Sequence, residues 1–420
     1  MSEPTANWDH CLEHAAASDI GLRRRNNQDS MSLALAGSQE AFQKRGHVFM
    51  VADGMGAHAA GELASKMATD VVALTYQKLI DRSPPKAILE AFRDANEQIH
   101  NRGQANPEFN GMGTTATLLV MLPEGALLGH VGDSRAYRLR GERYEQLTFD
   151  HSLVWEVQAA GQFPEGEVPD HIPSNIITRS LGPTAEVKAD VEGPFPLQVG
   201  DTFLICSDGL SGQVEDQEMG TILRCLSPVE AVRALVDLAN LRGGPDNITI
   251  VVAKVTGPQE AVGGPPPPPA DDEQPKAKPV NPLIWTALGT CALVGVGLAA
   301  MGHFIPAGIA ALGALMAGIF AMVQKLGGDD SSVVGSRPLG KGPYTACNCT
   351  PDAQFASRVS QIVKEVRQAA EAGACDLDWE LVATFEQHAA EAEDNSNFPQ
   401  AIRERFRAIS FIMDGLKNNR

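Results

Sequence analysis

Asp53, Asp133, Asp208 and Asp246 each lie beside glycine or in a turn-forming stretch. The segments are Val51-Ala52-Asp53-Gly54-Met55-Gly56, Val131-Gly132-Asp133-Ser134-Arg135, Cys206-Ser207-Asp208-Gly209-Leu210 and Gly243-Gly244-Pro245-Asp246-Asn247. The first three follow strand-like apolar runs, and Asp246 precedes one, Ile248-Thr249-Ile250-Val251-Val252. Carboxylates at strand ends, beside residues that let the backbone come close, suit hard divalent cations. Mg²⁺ and Mn²⁺ take oxygen ligands, few of them from protein, and keep several waters. Gathered in one domain, such carboxylates repel one another unless a cation neutralises them. Any one Asp-Gly is better explained by a hairpin turn; the four together point to a metal pocket.

The elements that must carry these carboxylates can be read around them. Leu63, Met67, Val71 and Leu74 form one helical stripe, and Ile88, Phe92, Ala95 and Ile99 another. Ser227-Pro228-Val229-Glu230 has the capping-box pattern, opening a helix that ends at Gly243-Gly244 and delivers Asp246. Between Asp150 and Thr178, Gly161, Pro164, Gly166, Pro169 and Pro173 predict a long loop, which in a compact domain is more often functional than not. Its Glu165, Glu167 and Asp170 read as solvated charge.

With 420 residues the chain has room for two or three domains. A formal net charge of -18 excludes a general nucleic-acid binder, which needs a basic face. Seven scattered cysteines suit a reducing compartment, and Met1-Ser2-Glu3-Pro4 lacks the features of a signal peptide. His10-Cys11-Leu12-Glu13-His14 reads as a strand and Cys347-Asn348-Cys349 as an incidental pair, with metal binding the lesser reading for both. Cys206 reads as buried and inert.

Near residue 256 the pattern changes. Residues 257–282, with Gly263-Gly264, Pro265 through Pro269 and Asp271-Asp272-Glu273, read as an extended linker. From Leu283 to Val323 the chain is nearly uncharged and breaks at Gly302-His303-Phe304-Ile305-Pro306. Two helices, about 283–301 and 304–324, each match the ~20 residues that cross a bilayer. Lys276, Lys278 and Lys325 flank the outer ends and put both on the cytoplasmic side. A buried helical pair is the alternative. Residues 350–420 read as a small helical domain opened at Thr350-Pro351. Its stripes are Phe355, Val359, Ile362, Val363 and Val366, then Trp379, Val382 and Phe385, then Ile402, Phe406, Ile409, Met413 and Leu416. Binding of a protein partner is its expected use.

Four further motifs stand in order among the aspartates: Gly21-Leu22-Arg23-Arg24-Arg25-Asn26-Asn27-Gln28-Asp29, Gly113-Thr114-Thr115, Thr148-Phe149-Asp150-His151-Ser152 and Ile177-Thr178-Arg179-Ser180-Leu181-Gly182. Over residues 8–256 the set resembles the metal-dependent serine/threonine protein phosphatases (PPM, or type 2C) in their bacterial form. The resemblance implies an α/β fold, an α-β-β-α sandwich of two mainly antiparallel sheets flanked by helices. Here a transmembrane hairpin at 283–324 and the helical domain would follow it.

A phosphate monoester dianion resists anionic attack. Two ions ~3.5–4 Å apart lower the pKa of water held between them and neutralise the phosphoryl oxygens. By resemblance Asp53 bridges two Mn²⁺ or Mg²⁺ ions, the Gly54 carbonyl adds to one, and Asp208 and Asp246 hold the other. Asp133 would join Asp208 at a third, weaker site. Glycine at 54 avoids crowding a carbonyl turned toward the ion. Arg24 matches the family's phosphate-binding arginine, since a guanidinium holds two phosphoryl oxygens at once. Arg23 and Arg25 are the alternatives if the register shifts by one. Asp29 would orient water by a hydrogen bond, while neutral Gln28 stands outside the ligand set. Ala57 replaces a glycine usual in bacterial members. His58 is the nearest candidate acid for the leaving alkoxide, although Met55 stands where many eukaryotic members carry histidine; water held by the metal is the other proton source.

The expected activity is hydrolysis of phosphoserine and phosphothreonine in proteins, opposing a bacterial kinase pathway at the cell membrane, with the catalytic and C-terminal domains in the cytoplasm. Neither Cys206 nor Cys225 lies in a Cys-x5-Arg phosphate loop, which disfavours a cysteine phosphatase. The rival is a catalytically inactive phosphoprotein-binding module or membrane signalling scaffold with the same fold.

Overall fold

Successive side chains of a strand point to opposite faces, and the run from Val48 to Ala52 is buried on both. In the computed structural model, which describes residues 11–56, 59–161, 173, 176–257, 339–373, 375 and 377–418, Phe49 and Val51 pack with Leu119, Phe203, Ile205 and Val251. Val48, Met50 and Ala52 pack with Ala64, Ala68, Val72 and Phe92. One face therefore meets a second sheet and the other meets helices. An uninterrupted apolar run is what that position demands.

The chain opens with β1 (Leu12–Asp19), β2 (Asp29–Ala34), α1 (Gln39–Arg45), β3 (His47–Met55), α2 (Ala60–Lys78) and α3 (Pro84–Ala105). Next come β4 (Gly113–Thr114), β5 (Ala116–Leu122), β6 (Gly125–Val131), β7 (Arg135–Arg140), β8 (Arg143–Gln146), α4 (Leu153–Ala159), β9 (Asp190–Phe195) and β10 (Thr202–Cys206). The catalytic half closes with α5 (Asp208–Ser211), α6 (Asp216–Cys225), α7 (Pro228–Leu241) and β11 (Ile248–Val255). After residues 258–338, outside the described set, follow β12 (Thr345–Asn348), α8 (Ala353–Ala372), α9 (Trp379–Asp394) and α10 (Phe398–Asn418).

One sheet runs β1-β11-β10-β7-β8-β12. The other runs β2-β3-β5-β6-β9, with β4 paired to β3. Every pairing is antiparallel. Helices α2 and α3 cover the second sheet; α6 and α7 cover the first. The expected four-layer sandwich is present.

Two local expectations change. The fully buried face of α2 is Ala60, Ala64, Ala68, Val72 and Tyr76; of the expected stripe Leu63, Met67 and Val71 pack partly buried beside it, and Leu74 is exposed. Small side chains let this helix lie close on β2 and β3, and dense packing wins over the bulkier face. The stripe on α3 is buried as expected. Helix α8 starts at Ala353, not Pro351: Asp352 caps it by accepting the Phe355 amide at 2.7 Å, while the Thr350 hydroxyl is used by Asn348 and Glu142.

The C-terminal helices find their packing partner within the chain. Phe406, Ile409 and Met413 of α10 share a core with Leu226, Val232 and Leu235 beside and within α7. The buried Ser410 hydroxyl donates to Asp237 at 2.7 Å, and Arg403 and Arg407 pair with Glu230 at 3.0 and 2.7 Å. Described residues before and after 258–338 thus form one compact unit. The proposed hairpin over 283–324 lies outside the described residues, among which no helix is long and apolar enough to cross a membrane.

Candidate active site

Asp29 and Asp53 sit directly opposite one another in the β2–β3 register. The Asp53 backbone is clamped on both sides. Its amide donates to Thr115 Oγ1, and its carbonyl accepts from the Thr114 hydroxyl and the Thr115 amide, all at 2.8 Å. Asp208 opens α5 immediately after β10. Ser207, just before it, donates to Asp29 Oδ2 at 2.8 Å and so ties the ends of the two sheets together. Asp133 lies in the β6–β7 turn, fixed by His151: its Nδ1 accepts the Gly132 amide at 3.0 Å and its amide donates to the Gly132 carbonyl at 2.8 Å.

Asn247 locks the remaining corner. Its Oδ1 accepts the Gln28 amide at 2.7 Å, and its Nδ2 donates to the Ile20 and Asn26 carbonyls at 2.9 and 3.1 Å. The arginine loop is thereby held against the Asp246 loop, with the Leu22 amide on the Gly244 carbonyl at 2.8 Å. Arg24 Nη2 meets Asp246 Oδ2 at 2.6 Å. Arg23 and Arg25 are exposed on the same loop, and neither forms an ion pair among the described residues.

The carboxylates feel one another. Burial pushes Asp53 well up, and repulsion from Asp29, Asp208 and Asp133 adds to it. Burial raises Asp29 to about 6 and Asp133 to about 7, with Asp208 adding to both. Asp208 is raised by burial and by Asp246. Asp53 and Asp208 thus perturb one another across the pocket. Asp29 Oδ1, Asp133 Oδ1 and Asp208 Oδ1 are buried with no hydrogen-bond partner.

Buried oxygens without donors are costly unless something positive meets them. A divalent cation meets that need. Among the described residues no three His, Cys, Asp or Glu side chains close on one point. Mn²⁺ and Mg²⁺ take oxygen ligands and fill the rest of the shell with water.

Asp53, Asp133, Asp208, Asp246 and Asp29 are therefore brought together, with Arg24 at the edge. His58 and Ala57 lie outside the described residues. The glycine at 54 has a second reason: a Cβ there would lie 2.1 Å from the Gly61 carbonyl oxygen. Gln28 Nε2 donates to the Gly56 carbonyl at 3.4 Å. Cys206 is buried with its thiol pushed up by burial. Cys347 and Cys349 are 3.8 Å apart, both also raised chiefly by burial. Sequence reasoning missed Ser207, Asn247 and the Asp190–His151 pair, although Ser207, Asn247 and His151 sit inside the motifs; Asp190 lies in none.

Residues 23–240 match the family described as Protein phosphatase 2C. The chain belongs to that family. As a protein phosphatase 2C it is a metal-dependent protein serine/threonine phosphatase, served by Mn²⁺ or Mg²⁺. A putative protein phosphatase 2C-type of Streptococcus pyogenes is 38% identical over 239 residues, 56% of this chain and 94% of that protein. The serine/threonine protein phosphatase PstP of Mycobacterium tuberculosis is 36% identical over 251 residues, 58% of this chain and 45% of that protein. The crystal structure of the M. tuberculosis phosphatase PstP/Ppp matches with TM-score 0.51 and 35% identity, covering 58% of this chain and 99% of that one.

Removing metal from this phosphatase should leave a stability that depends on pH. The folded pKa values of Asp29 and Asp133, about 6 and about 7, lie above the ordinary 3.8. Groups raised on folding stabilise fully below their unfolded pKa and lose that contribution as pH rises through the folded values. The thermal midpoint of chelator-treated protein is expected to fall between pH 5 and pH 8, by several degrees, and added Mn²⁺ to restore most of the loss at pH 8. A flat midpoint across that range would count against a self-repelling cluster.

Proposed function

We propose that this site hydrolyses phosphoserine and phosphothreonine in proteins, opposing a serine/threonine kinase, by direct attack of water. What carries the reading is the meeting of Asp29, Asp53, Asp133 and Asp208 from both sheets, with three buried carboxylate oxygens lacking any donor.

Asp53, Asp208 and Asp246, with Asp133 at the edge, would hold the divalent ions, which when bound supply charge neutralisation and a more acidic water. Arg24, half-exposed beside Asp246, can swing its fork onto two phosphoryl oxygens. Asp29 Oδ1, buried and unpaired, is placed to accept a hydrogen bond from entering water and orient it. Cys206 and Cys225 are disfavoured as nucleophiles, because burial raises both thiols, Cys225 to about 12. Water is then the attacking group and no phosphoenzyme forms.

The location reading rests on the uncharged run from Leu283 to Val323 and its flanking lysines. It places the catalytic domain at the cytoplasmic face of a membrane by a hairpin at 283–324.

Full-length protein with a phosphothreonine peptide and a small aryl phosphate tests the activity. Turnover should require Mn²⁺ or Mg²⁺ and stop with chelator. Peptide binding without metal-dependent phosphate release would favour the scaffold reading. Deleting 283–324 should move the protein from the carbonate-washed membrane pellet to the supernatant; an unchanged distribution would sink the tether.

A further inference from the structure

Beyond the family match, residues 339–348 cross the edge shared by the two sheets. Leu339 and Gly193 of β9 exchange backbone hydrogen bonds, a single antiparallel bridge on the second sheet. The chain then turns, the Tyr344 amide donates to the Gln146 carbonyl at 2.8 Å, and β12 pairs with β8 on the first sheet. Between the two attachments lies Glu192, almost fully buried. Its carboxylate accepts the Tyr344 hydroxyl at 2.5 Å and the Gly342 amide at 3.1 Å.

This strap reaches the site by two short routes. The Tyr344 ring meets Phe149 edge-on, centroids 5.5 Å apart, and Phe149 meets Trp155 of α4 at 5.3 Å and 89°. Helix α4 buries none of its residues. Its place is set by these rings, by the Arg135 guanidinium over Trp155, by its Ser152 cap, by the Leu153 amide on the Ile176 carbonyl at 2.9 Å and by Glu156, which accepts the Thr178 hydroxyl at 2.7 Å. The second route runs along β9. Asp190, two residues from Glu192 and on the same side of the strand, takes the His151 Nε2–H at 2.9 Å and Arg179 at 3.2 Å. His151 in turn holds the Gly132–Asp133 turn. Because Nδ1 of His151 accepts the Gly132 amide, its proton lies on Nε2 and points to Asp190.

Resting on the phosphatase reading, we propose that the strap positions the surface beside α4 on which a phosphopeptide lies, outside the metal cluster itself. Tyr344 is a positioning residue that sets α4, so that recognition of a phosphoprotein depends on chain beyond residue 338. A small aryl phosphate reaches only the metal cluster and Arg24. A phosphopeptide must also lie across the surface beside α4. The strap therefore acts on the peptide's KM and spares the chemistry of the small substrate.

The test uses the full chain. Tyr344→Ala should raise the phosphopeptide KM about tenfold, since small misplacement of a positioning element is amplified at a site. Aryl phosphate kcat should stay within about twofold. Amides of residues 155–160 should exchange with solvent at least about tenfold faster, while those of α10 keep wild-type rates. Tyr344→Phe keeps the ring on Phe149 and should restore α4 protection and most of the KM. Gly340→Ala probes the same strap independently, because its Cβ would fall 1.6 Å from Glu192 Oε2. Unchanged peptide KM and α4 exchange in Tyr344→Ala would overturn the proposal, as would faster exchange spread evenly over both sheets. If the wild type turned over neither substrate, the phosphatase reading would fail by itself, and the exchange arm would still decide whether the strap positions α4.

Discussion

Asp53→Asn is expected to lower metal-dependent turnover by at least about a thousandfold, the scale of removing about 4 kcal/mol of transition-state stabilisation. The same change should raise the thermal midpoint of the metal-free protein. Asp53 is pushed up by burial and by three neighbouring carboxylates, so in the absence of cations its charge opposes folding. Asparagine keeps the shape and drops the charge. A rise of about 2–4 °C corresponds to roughly 1 kcal/mol in a domain of this size. With excess Mn²⁺ the order should invert, because the wild type gains binding energy the variant has lost. A variant retaining a tenth of wild-type turnover would remove Asp53 from the centre of the site.

Gly209→Ala should damage both stability and rate, although alanine carries no charge and little bulk. A Cβ at this position would sit 1.9 Å from the Asn247 carbonyl oxygen and 2.9 Å from its carbon. Both are backbone atoms, and Asn247 is pinned to Ile20, Asn26 and Gln28. No flexible side chain can give way. Overpacking of this kind costs about 3 kcal/mol, and relief requires α5 to move off the loop before β11. Asp208 and Asp246 would then separate, and a shift on the order of 1 Å is enough for about a hundredfold loss of kcat/KM. Chemical denaturation and aryl phosphate kinetics on one preparation check the two together; a variant with wild-type midpoint and rate would show that the contact yields freely.

The carboxylate cluster was legible because each aspartate stands at a strand boundary with glycine close by, a local signature. The sandwich was legible through the order of the motifs. What holds the cluster was less so. Ser207 and Asn247 look like ordinary polar neighbours until β10 and β11 bring them against Asp29 and Gln28. Helix α2 misled in part because its larger apolar residues Leu63, Met67 and Val71 lie at the margin of the buried face and Leu74 is exposed, while alanines make the close contact. The three C-terminal helices showed their stripes plainly. A stripe says that a face is buried, not against what, and α6 and α7 lie more than a hundred residues earlier. Tyr344 carried no periodic signal at all, since strand pairing at a sheet edge is set by a distant partner.

The pairing of β12 with β8 also closes a sheet edge to other chains. An unpaired edge strand offers its amides and carbonyls to any passing chain. Here β8 is already occupied, and the apolar side of α6 and α7 is roofed by α8 and α10. A fragment ending at residue 257 would bare an adhesive strand and a greasy helical face together. Shortening this chain to the length of its streptococcal relative would thus offer both surfaces to neighbouring molecules.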